Sequence, residues 1–458
     1  MGTLSGSLSI ANQAIEANQT GLQVTANNLA NVNTPGYSRQ VVDLAEQAPY
    51  SATAGLGGGV TVQQIQSIRD AVLNIRVGQE LQTQGSLTSL QDQLNPVQTL
   101  FNASSGAGLS TAIDGFFSSL QQLSTNPASG AQRQAVITAA QTMAQTFQQV
   151  STALTQQQAG ANQEIVQNVG QANTLLGQIA TLNNQIADMQ NSGQNTGPLV
   201  DQRTNLINSL AGIIDFNTSS AGSGEVNLTT TGGQALVVGN SAYSLALAPN
   251  GSGMQDVYAA GTDITSAISG GSLAGLIQAR DQVLPQLGSQ IDQLAGSIAT
   301  AVNTQNQAGF DATGAAGGNL FVPPPAGNVN AAASIALATT DPNAIAASAS
   351  AASPADNSNL MAMVGLQNQA FVGGQTPDNA YAAIVSNVGA VLSGANTQQQ
   401  ASQMVLTQLQ NQQAALSGVS TDQESINLTQ FQTGYTAAAR VVTAIQNLTK
   451  LAINLGQD

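Results

Sequence analysis

The chain has 458 residues, of which 42% are hydrophobic and only 7% charged, and its 23 acidic and 8 basic side chains give a net charge of −15 at pH 7. It contains no His and no Cys, so imidazole bases, thiolate nucleophiles, disulfides and the commonest zinc ligands are absent. So few basic residues argue against a nucleic-acid or anionic-lipid partner. No cofactor is expected. Without about 18 consecutive apolar residues, no membrane span is expected either.

The first predicted element is a helix from Leu4 to Asn31. Its apolar residues recur at alternating steps of four and three, which is the seam of a coiled coil. The helix is predicted to end where Thr34 precedes Pro35 and Gly36, since a residue before proline favours extended geometry and Pro-Gly favours a turn. The seam residues predicted to form an assembly interface are Leu4, Leu8, Ile15, Leu22 and Leu29.

Extended segments follow this helix. Residues 37–46 alternate in polarity, and the sequence from Val60 to Ile65 alternates again after a glycine-rich stretch. Such alternation is typical of strands. We therefore predict a short hairpin or arm, and we place the first segment of the chain, the N-terminal assembly helix with its arm, at 1–60.

A helical bundle is predicted over 61–214. Helical periodicity covers Arg69 to Leu100 and Leu109 to Leu123, and then two long stretches on either side of an expected break near Gly160. A further helix is predicted from Leu199 to Ile214. Helices of this length joined by short connections pack as an antiparallel bundle.

The middle of the chain alternates between β-like and helical patterns. Short apolar runs separated by Gly and Asn turns predict a β-rich insertion at 215–268. The bundle resumes at 269–307, with a local break expected at Pro285 because proline lacks an amide donor. A Gly-, Ala- and Pro-rich segment at 308–355 predicts a second insertion, β-rich or irregular, before helices return at 356–418.

A second ladder occupies the C-terminal segment, 419–458. The predicted fold is thus mainly α, with terminal coiled-coil helices, an elongated antiparallel bundle and small β-rich insertions in the middle. Neither terminal helix can bury its seam alone, so both need partners, which favours assembly over catalysis. The C-terminal residues predicted in the assembly interface are Leu428, Phe431, Tyr435, Ala438, Ile445, Leu448 and Leu455.

An enzymatic function has weak support in the sequence. The glycine run 55–59 lacks the Lys-Ser/Thr of a phosphate-binding loop and its strand-before, helix-after context. Four carboxylates lie in β-rich or loop regions without a spacing motif that would join them into an acid/base pair: Asp256, Asp263, Asp311 and Asp341. An enzyme or adhesin carried by the insertions is the less favoured alternative.

The sequence around the end of the first helix resembles a known signature. Ala26-Asn-Asn-Leu-Ala-Asn-Val-Asn-Thr-Pro-Gly-Tyr-Ser-Arg-Gln40 is similar to the N-terminal motif of flagellar rod, hook and hook-associated proteins, and residues 417–441 resemble the C-terminal motif of the same family. The motif residues carried over are Asn27, Asn28, Asn31, Asn33, Thr34, Pro35, Gly36, Tyr37, Arg39 and Arg440.

Internal stretches narrow the resemblance within that family. Residues 57–60 with Arg69-Asp70, residues 270–276 with Arg280, and residues 356–359 favour the proteins that join hook to filament over a hook subunit or the second junction protein, which remain alternatives. The resemblance implies a structural, extracellular subunit at the hook–filament junction, secreted without a cleaved signal peptide by type III export. The implied partners are further copies in a ring, the hook protein, the second hook-associated protein and an export chaperone at the C-terminal segment.

Overall fold

The computed structural model describes residues 2–48, 57–101, 108–353 and 356–454. The predicted fold class is confirmed: long helices dominate, and small antiparallel sheets are inserted in the middle of the chain. The helices are α1 (Gly2–Ala30), α2 (Ala71–Phe101), α3 (Leu109–Thr125), α4 (Gly130–Asn191), α5 (Gly197–Ala211), α6 (Gly271–Gln278), α7 (Leu284–Gln307), α8 (Ala331–Ser334), α9 (Ser358–Gly365), α10 (Pro377–Ser417) and α11 (Thr421–Asn454).

The strands form three antiparallel sheets, ordered β1-β2, β3-β4-β5-β6 and β7-β8-β9. The predicted hairpin is confirmed, because β1 pairs with β2 from Gln40 opposite Ser67 to Glu46 opposite Val60. The strands are β1 (Gln40–Glu46), β2 (Val60–Ser67), β3 (Asn217–Ser220), β4 (Val226–Thr229), β5 (Ala235–Val238), β6 (Ser241–Ala242), β7 (Leu245–Pro249), β8 (Gln255–Ala259) and β9 (Thr262–Asp263). The division of the chain into seven segments stays a prediction.

Helix α4 is continuous over 62 residues, a length of about 90 Å. The expected break near Gly160 is therefore wrong. One glycine inside a helix costs only about 1 kcal/mol relative to alanine. Here the buried side chains of Leu154, Ala161 and Ile165 continue the packed face across it, so tertiary packing outweighs the local preference.

Two hydrophobic cores lie along α4. The first is packed between α3, the first half of α4, α7 and α10, and the ring of Phe116 contacts those of Phe117 and Phe321 edge to face at 5.4 and 5.8 Å. The second joins the second half of α4 to α5, α6 and the two inserted sheets. Because one helix belongs to both cores, it holds the two halves of the body in a fixed relation.

The local break expected at Pro285 takes the form of a wider turn. A π-helical turn at Ala279–Val283 separates α6 from α7, and Pro285 lies in the first turn of α7. Proline has no amide hydrogen and its ring crowds the preceding turn, which favours such a bulge. The turn places Arg280, a fully buried residue, between the two cores.

Segment 308–353 is irregular, with isolated bridges such as Phe321 opposite Leu337. Asparagine side chains on α7 bond its backbone. Asn303 accepts from the amide of Phe321 at 2.9 Å and donates to its carbonyl at 2.8 Å, while Asn306 accepts from the amide of Ala346 and donates to the carbonyl of Gly318, both at 2.8 Å. Buried backbone groups without strand partners are thereby satisfied.

Three buried arginines form hydrogen bonds between the helices and the insertions. Arg133 on α4 donates to the carbonyl of Ile345 at 2.8 Å. Arg280 donates to both carboxylate oxygens of Asp281, at 2.7 and 2.8 Å, and to the carbonyl of Gln255. Arg203 on α5 bonds the loop before β4. Burial lowers the pKa of Arg133, and its carbonyl partners replace the water lost on burial.

We expect Gly160→Ala to stabilise the chain, because a Cβ at this position would meet nothing within 4 Å. The gain should be about 0.5–1 kcal/mol in the free energy of unfolding, measured by urea denaturation.

Gly275→Ala is the matched control within another helix. A Cβ there would collide with the carbonyl oxygen of Ser86, so α2 and α6 would have to separate, at a cost of roughly 1–3 kcal/mol. Equal effects of the two substitutions would contradict this account of α4.

Candidate assembly interface

The terminal helices α1 and α11 pack against each other outside both cores. Their direction is antiparallel, because Gly21 faces Phe431 whereas the later Asn28 reaches the earlier Glu424. A Cβ on Gly21 would lie 2.5 Å from the Phe431 ring, and Gly434 on α11 faces Asn18 in a similarly close contact. The missing side chains allow the two helices to approach closely.

The predicted ladder is buried only in part within this pair. On α1 the fully buried apolar residues are Ala11, Ala17 and Val24, whereas Leu29 is 38% exposed. The buried residues of α1 are thus alanine and valine, and its larger ladder residues keep part of their side chains exposed. Half-buried positions of the ladder are Leu4, Leu8, Ile15, Leu22, Leu428 and Phe431.

On α11 some ladder residues are buried and others are exposed. Ala438 and Ile445 are buried against α1, but Tyr435 is 39% exposed and Leu448 54% exposed. Leu455 lies outside the described residues. The terminal pair therefore leaves apolar surface uncovered, and the role of these residues in contacts between subunits stays a prediction. Further large apolar residues exposed on α11 are Ile426, Val441, Leu451 and Ile453.

Asn28 joins α1 to the hairpin and to α11. Its side chain accepts from the amide of Gln40 at 2.9 Å and donates to the carbonyl of the same residue at 2.8 Å, which completes the backbone bonding where β1 begins. It also donates to Glu424 Oε2 at 3.2 Å. Glu424 is only 2% exposed and lies in the first turn of α11, where the helix dipole favours a carboxylate.

Tyr37 adds a further hydrogen bond to this cluster. Its hydroxyl donates to Asn28 Oδ1 at 2.8 Å. Burial, then the charges of Asp201 and Glu424, raise the pKa of Tyr37 to about 12. The phenol therefore keeps its proton at neutral pH and acts as a donor.

Asp201 on α5 connects the motif to the body. It accepts from the amide of Ser38 at 3.0 Å and from its hydroxyl at 2.7 Å, and it forms an ion pair with Arg69 at 2.8 Å. Arg69 also donates to the carbonyl of Gly197 at 2.6 Å. Nearby, the amide of Arg39 donates to the carbonyl of Ser417, where α10 ends. The terminal helices are thus attached to the body through hydrogen bonds and one ion pair.

The remaining motif residues shape the turn after α1. Asn31 donates to Asn27 Oδ1 at 2.8 Å, and Thr34 donates to Asn31 Oδ1 at 3.2 Å. Gly36 has a φ of +76°, which residues with a Cβ rarely adopt. A Cβ there would also collide with the side chain of Asn205. Both the backbone conformation and the close contact therefore require glycine. Asn33, Pro35 and Arg440 are exposed.

Sequence reasoning missed Asp201, whose position in the middle of a polar helix gives no signal of its role. Ser38, Arg69 and Glu424 stood inside the quoted stretches but were not chosen as interface residues. Gly21 and Gly434 had a readable signal, since glycine inside a predicted seam often marks a close helix approach.

Among the described residues, no group of three or more carboxylates could hold a metal ion. No helix in the described part of the chain is long and apolar enough to cross a membrane.

Two family models match parts of this chain. The family model of the flagellar hook-associated protein FlgK helical domain matches residues 94–321, and that of the flagella basal body rod protein matches residues 8–37. The second match ends at Tyr37, inside the cluster around Asn28.

Curated relatives match along nearly the whole chain. Flagellar hook-associated protein 1 of Escherichia coli (strain K12) is 30% identical over 548 aligned residues, covering 99% of this chain and 100% of that protein. The protein of the same name from Bacillus subtilis (strain 168) is 29% identical, covering 98% and 97%. The first alignment is longer than this chain, so that relative has segments that this chain lacks.

A solved structure shares the fold. The flagellar hook junction protein FlgK from Burkholderia pseudomallei superposes with a TM-score of 0.67 at 19% sequence identity, covering 75% of this chain and 100% of that chain.

We expect Asn28→Asp to loosen the attachment of the terminal helices. The aspartate has no donor for Gln40 or Glu424 and places a second negative charge beside Glu424. Leaving such buried groups unsatisfied costs roughly 1–3 kcal/mol. Hydrogen exchange at the amides of Arg39 and Gln40 should accelerate roughly tenfold to a hundredfold.

Asn27→Asp is the control. Asn27 is exposed, and in the hydrogen bonds described its side chain only accepts, through Oδ1, so an aspartate can keep both. Its exchange rates should stay within about threefold of the wild type. Similar acceleration by both variants would contradict the role assigned to Asn28.

Proposed function

This chain belongs to the flagellar hook-associated protein 1 family, the structural junction proteins of the bacterial flagellum, and we propose that its copies form a ring at the hook tip through α1 and α11. The observation that carries the proposal is the apolar ladder left open on both helices. Exposed apolar surface of this extent marks an interaction site. Neighbouring copies cover it in the ring.

The proposed partners follow from that position. One end of the ring contacts the hook protein and the other contacts the second hook-associated protein, with further copies at the sides. Arg440 is exposed on α11, and its cationic side chain supports contacts with acidic neighbours. The protein acts structurally in this proposal, without catalysis.

Export precedes assembly. The chain passes unfolded through the flagellar type III channel and reaches the extracellular hook tip. Without cysteine, no disulfide has to be reduced before unfolding. A cytoplasmic chaperone holds the C-terminal segment until export, a role supported by the exposed apolar residues of α11, such as Leu448 and Leu451.

The test is a double variant, Leu448→Ser with Leu451→Ser. These side chains are 54% and 56% exposed in the subunit, so monomer stability should change by about 0.5 kcal/mol or less. Added to isolated hooks and imaged by electron microscopy, the wild type should cap the tips. The variant should cap about tenfold fewer tips, because its interface is lost.

Val329→Ser with Met361→Ser is the matched control. These residues are 64% and 51% exposed but lie in the body, away from the terminal helices. Normal capping by this control and poor capping by the α11 variant would support the proposal. Full capping by the α11 variant would reject the terminal helices as the assembly surface.

A further inference from the structure

A pocket of about 360 Å³ opens between α2, α5 and β3, and we call it the α2–α5 pocket. Its apolar wall includes Ile75, Ile207 and Phe216, and Arg69 and Arg203 also line it. None of its lining residues is acidic, although the chain has 23 acidic and 8 basic residues. The charged side chains that line the pocket are therefore both basic, in a molecule that is strongly negative overall.

Arg203 is the basic residue of the pocket that has no ion-pair partner among the described residues. Its residue is only 5% exposed, and Nη1 donates to Asn183 Oδ1 at 2.7 Å and to the carbonyl of Gly224 at 2.8 Å. Nε has no acceptor, and no carboxylate of the described residues forms an ion pair with it. Burial and then repulsion from Arg69 lower the pKa of Arg203 to about 10, although the charge of Glu225 acts in the opposite direction, so Arg203 stays charged at neutral pH.

The other arginine is already paired, because Arg69 binds Asp201. An anionic group entering the α2–α5 pocket would thus meet one buried cation that forms no ion pair, and such a cation stabilises an incoming carboxylate. The apolar wall is also accessible, because Ile75 is 42% exposed. The site fits a peptide segment that carries a carboxylate next to an apolar side chain.

A segment of this kind, the start of α11, lies near the pocket along the long direction of the subunit. Arg69 contacts Asp201, which contacts Ser38, and the neighbouring Arg39 bonds the carbonyl of Ser417, just before α11. The pocket and the start of α11 are therefore close along the long direction of the subunit. Copies in a ring are related by rotation, so each pocket faces the neighbour's residues at that level.

The start of α11 has an exposed carboxylate next to an exposed apolar side chain. Asp422 and Ile426 are exposed and one helical turn apart, so they project from the same side of the helix. The carboxylate complements Arg203, and the isoleucine complements the apolar wall and the exposed Ile75.

We propose that the α2–α5 pocket receives Asp422 and Ile426 of the neighbouring copy, which makes it the lateral contact of the ring. This inference rests on the ring assembly proposed above and names the surfaces that form it. Arg203 attracts the carboxylate, and the apolar wall covers the isoleucine.

Site-directed cross-linking tests the contact, and a chain without native cysteine gives no background. Ile75→Cys is combined with Ile426→Cys in the full-length protein, which is added to isolated hooks and treated with a short bismaleimide. We expect a ladder of cross-linked oligomers on denaturing gels from capped hooks and none from the free subunit.

The control pair is Ile75→Cys with Val441→Cys. Val441 is exposed on the same helix but lies about 22 Å farther along it. Tips that are capped without a ladder, or with equal ladders from both pairs, would overturn the inference while leaving the ring proposal intact. Failure of the wild type to cap hooks would overturn both.

A charge reversal gives a readout independent of cysteine. Asp422→Lys should reduce tip occupancy about tenfold, because it places a cation against Arg203. Glu164→Lys, an equal charge change at an exposed position of α4, should leave occupancy unchanged. Equal occupancy with the two folded variants, checked by circular dichroism, would reject the pocket as the receptor of Asp422.

Discussion

One hydrogen-bonding arrangement recurs at four places where a non-helical segment meets a helix. An asparagine side chain on the helix bonds both the amide and the carbonyl of a single residue of the segment. Among the described residues this occurs between Asn28 and Gln40, Asn173 and Leu245, Asn183 and Val226, and Asn303 and Phe321. The carboxamide has a donor and an acceptor side by side, so it replaces a missing strand neighbour. The hairpin and both insertions depend on it, because buried backbone groups must be paired.

The few charged residues are used in a similar way. Arg133, Arg203 and Arg280 are buried, and they bond carbonyls or carboxylates of the segments that cross the helices. Burying a guanidinium is costly unless its donors find acceptors. The body is therefore specified by a small number of polar contacts within large apolar cores. Arg203 differs from the other two because it lines the α2–α5 pocket and its buried Nε has no acceptor among the described residues, and in the proposal this makes the pocket a receptor for a neighbour.

The terminal helices follow a different principle from the body. Glycine and alanine bring α1 and α11 close together, and many of the larger apolar residues of the pair are exposed or half-buried. The pair is attached to the body through Asn28, Ser38 and Asp201, rather than through a shared apolar core. A directional polar attachment fixes the pair relative to the body. It also leaves the apolar surface for other subunits, as an assembling protein requires.

The sequence by itself determined the fold class, the hairpin, the position of the strands and the presence of two terminal ladders, because hydrophobic period and turn residues are local properties. It also determined the family, through the motif around Asn28 and Tyr37. Only the tertiary structure decided that α4 runs through Gly160, that the leucines of the ladder are not the buried residues between α1 and α11, and that Asp201 receives the motif. Each of these depends on what a side chain meets from a distant part of the chain, and local pattern carries no information about that partner.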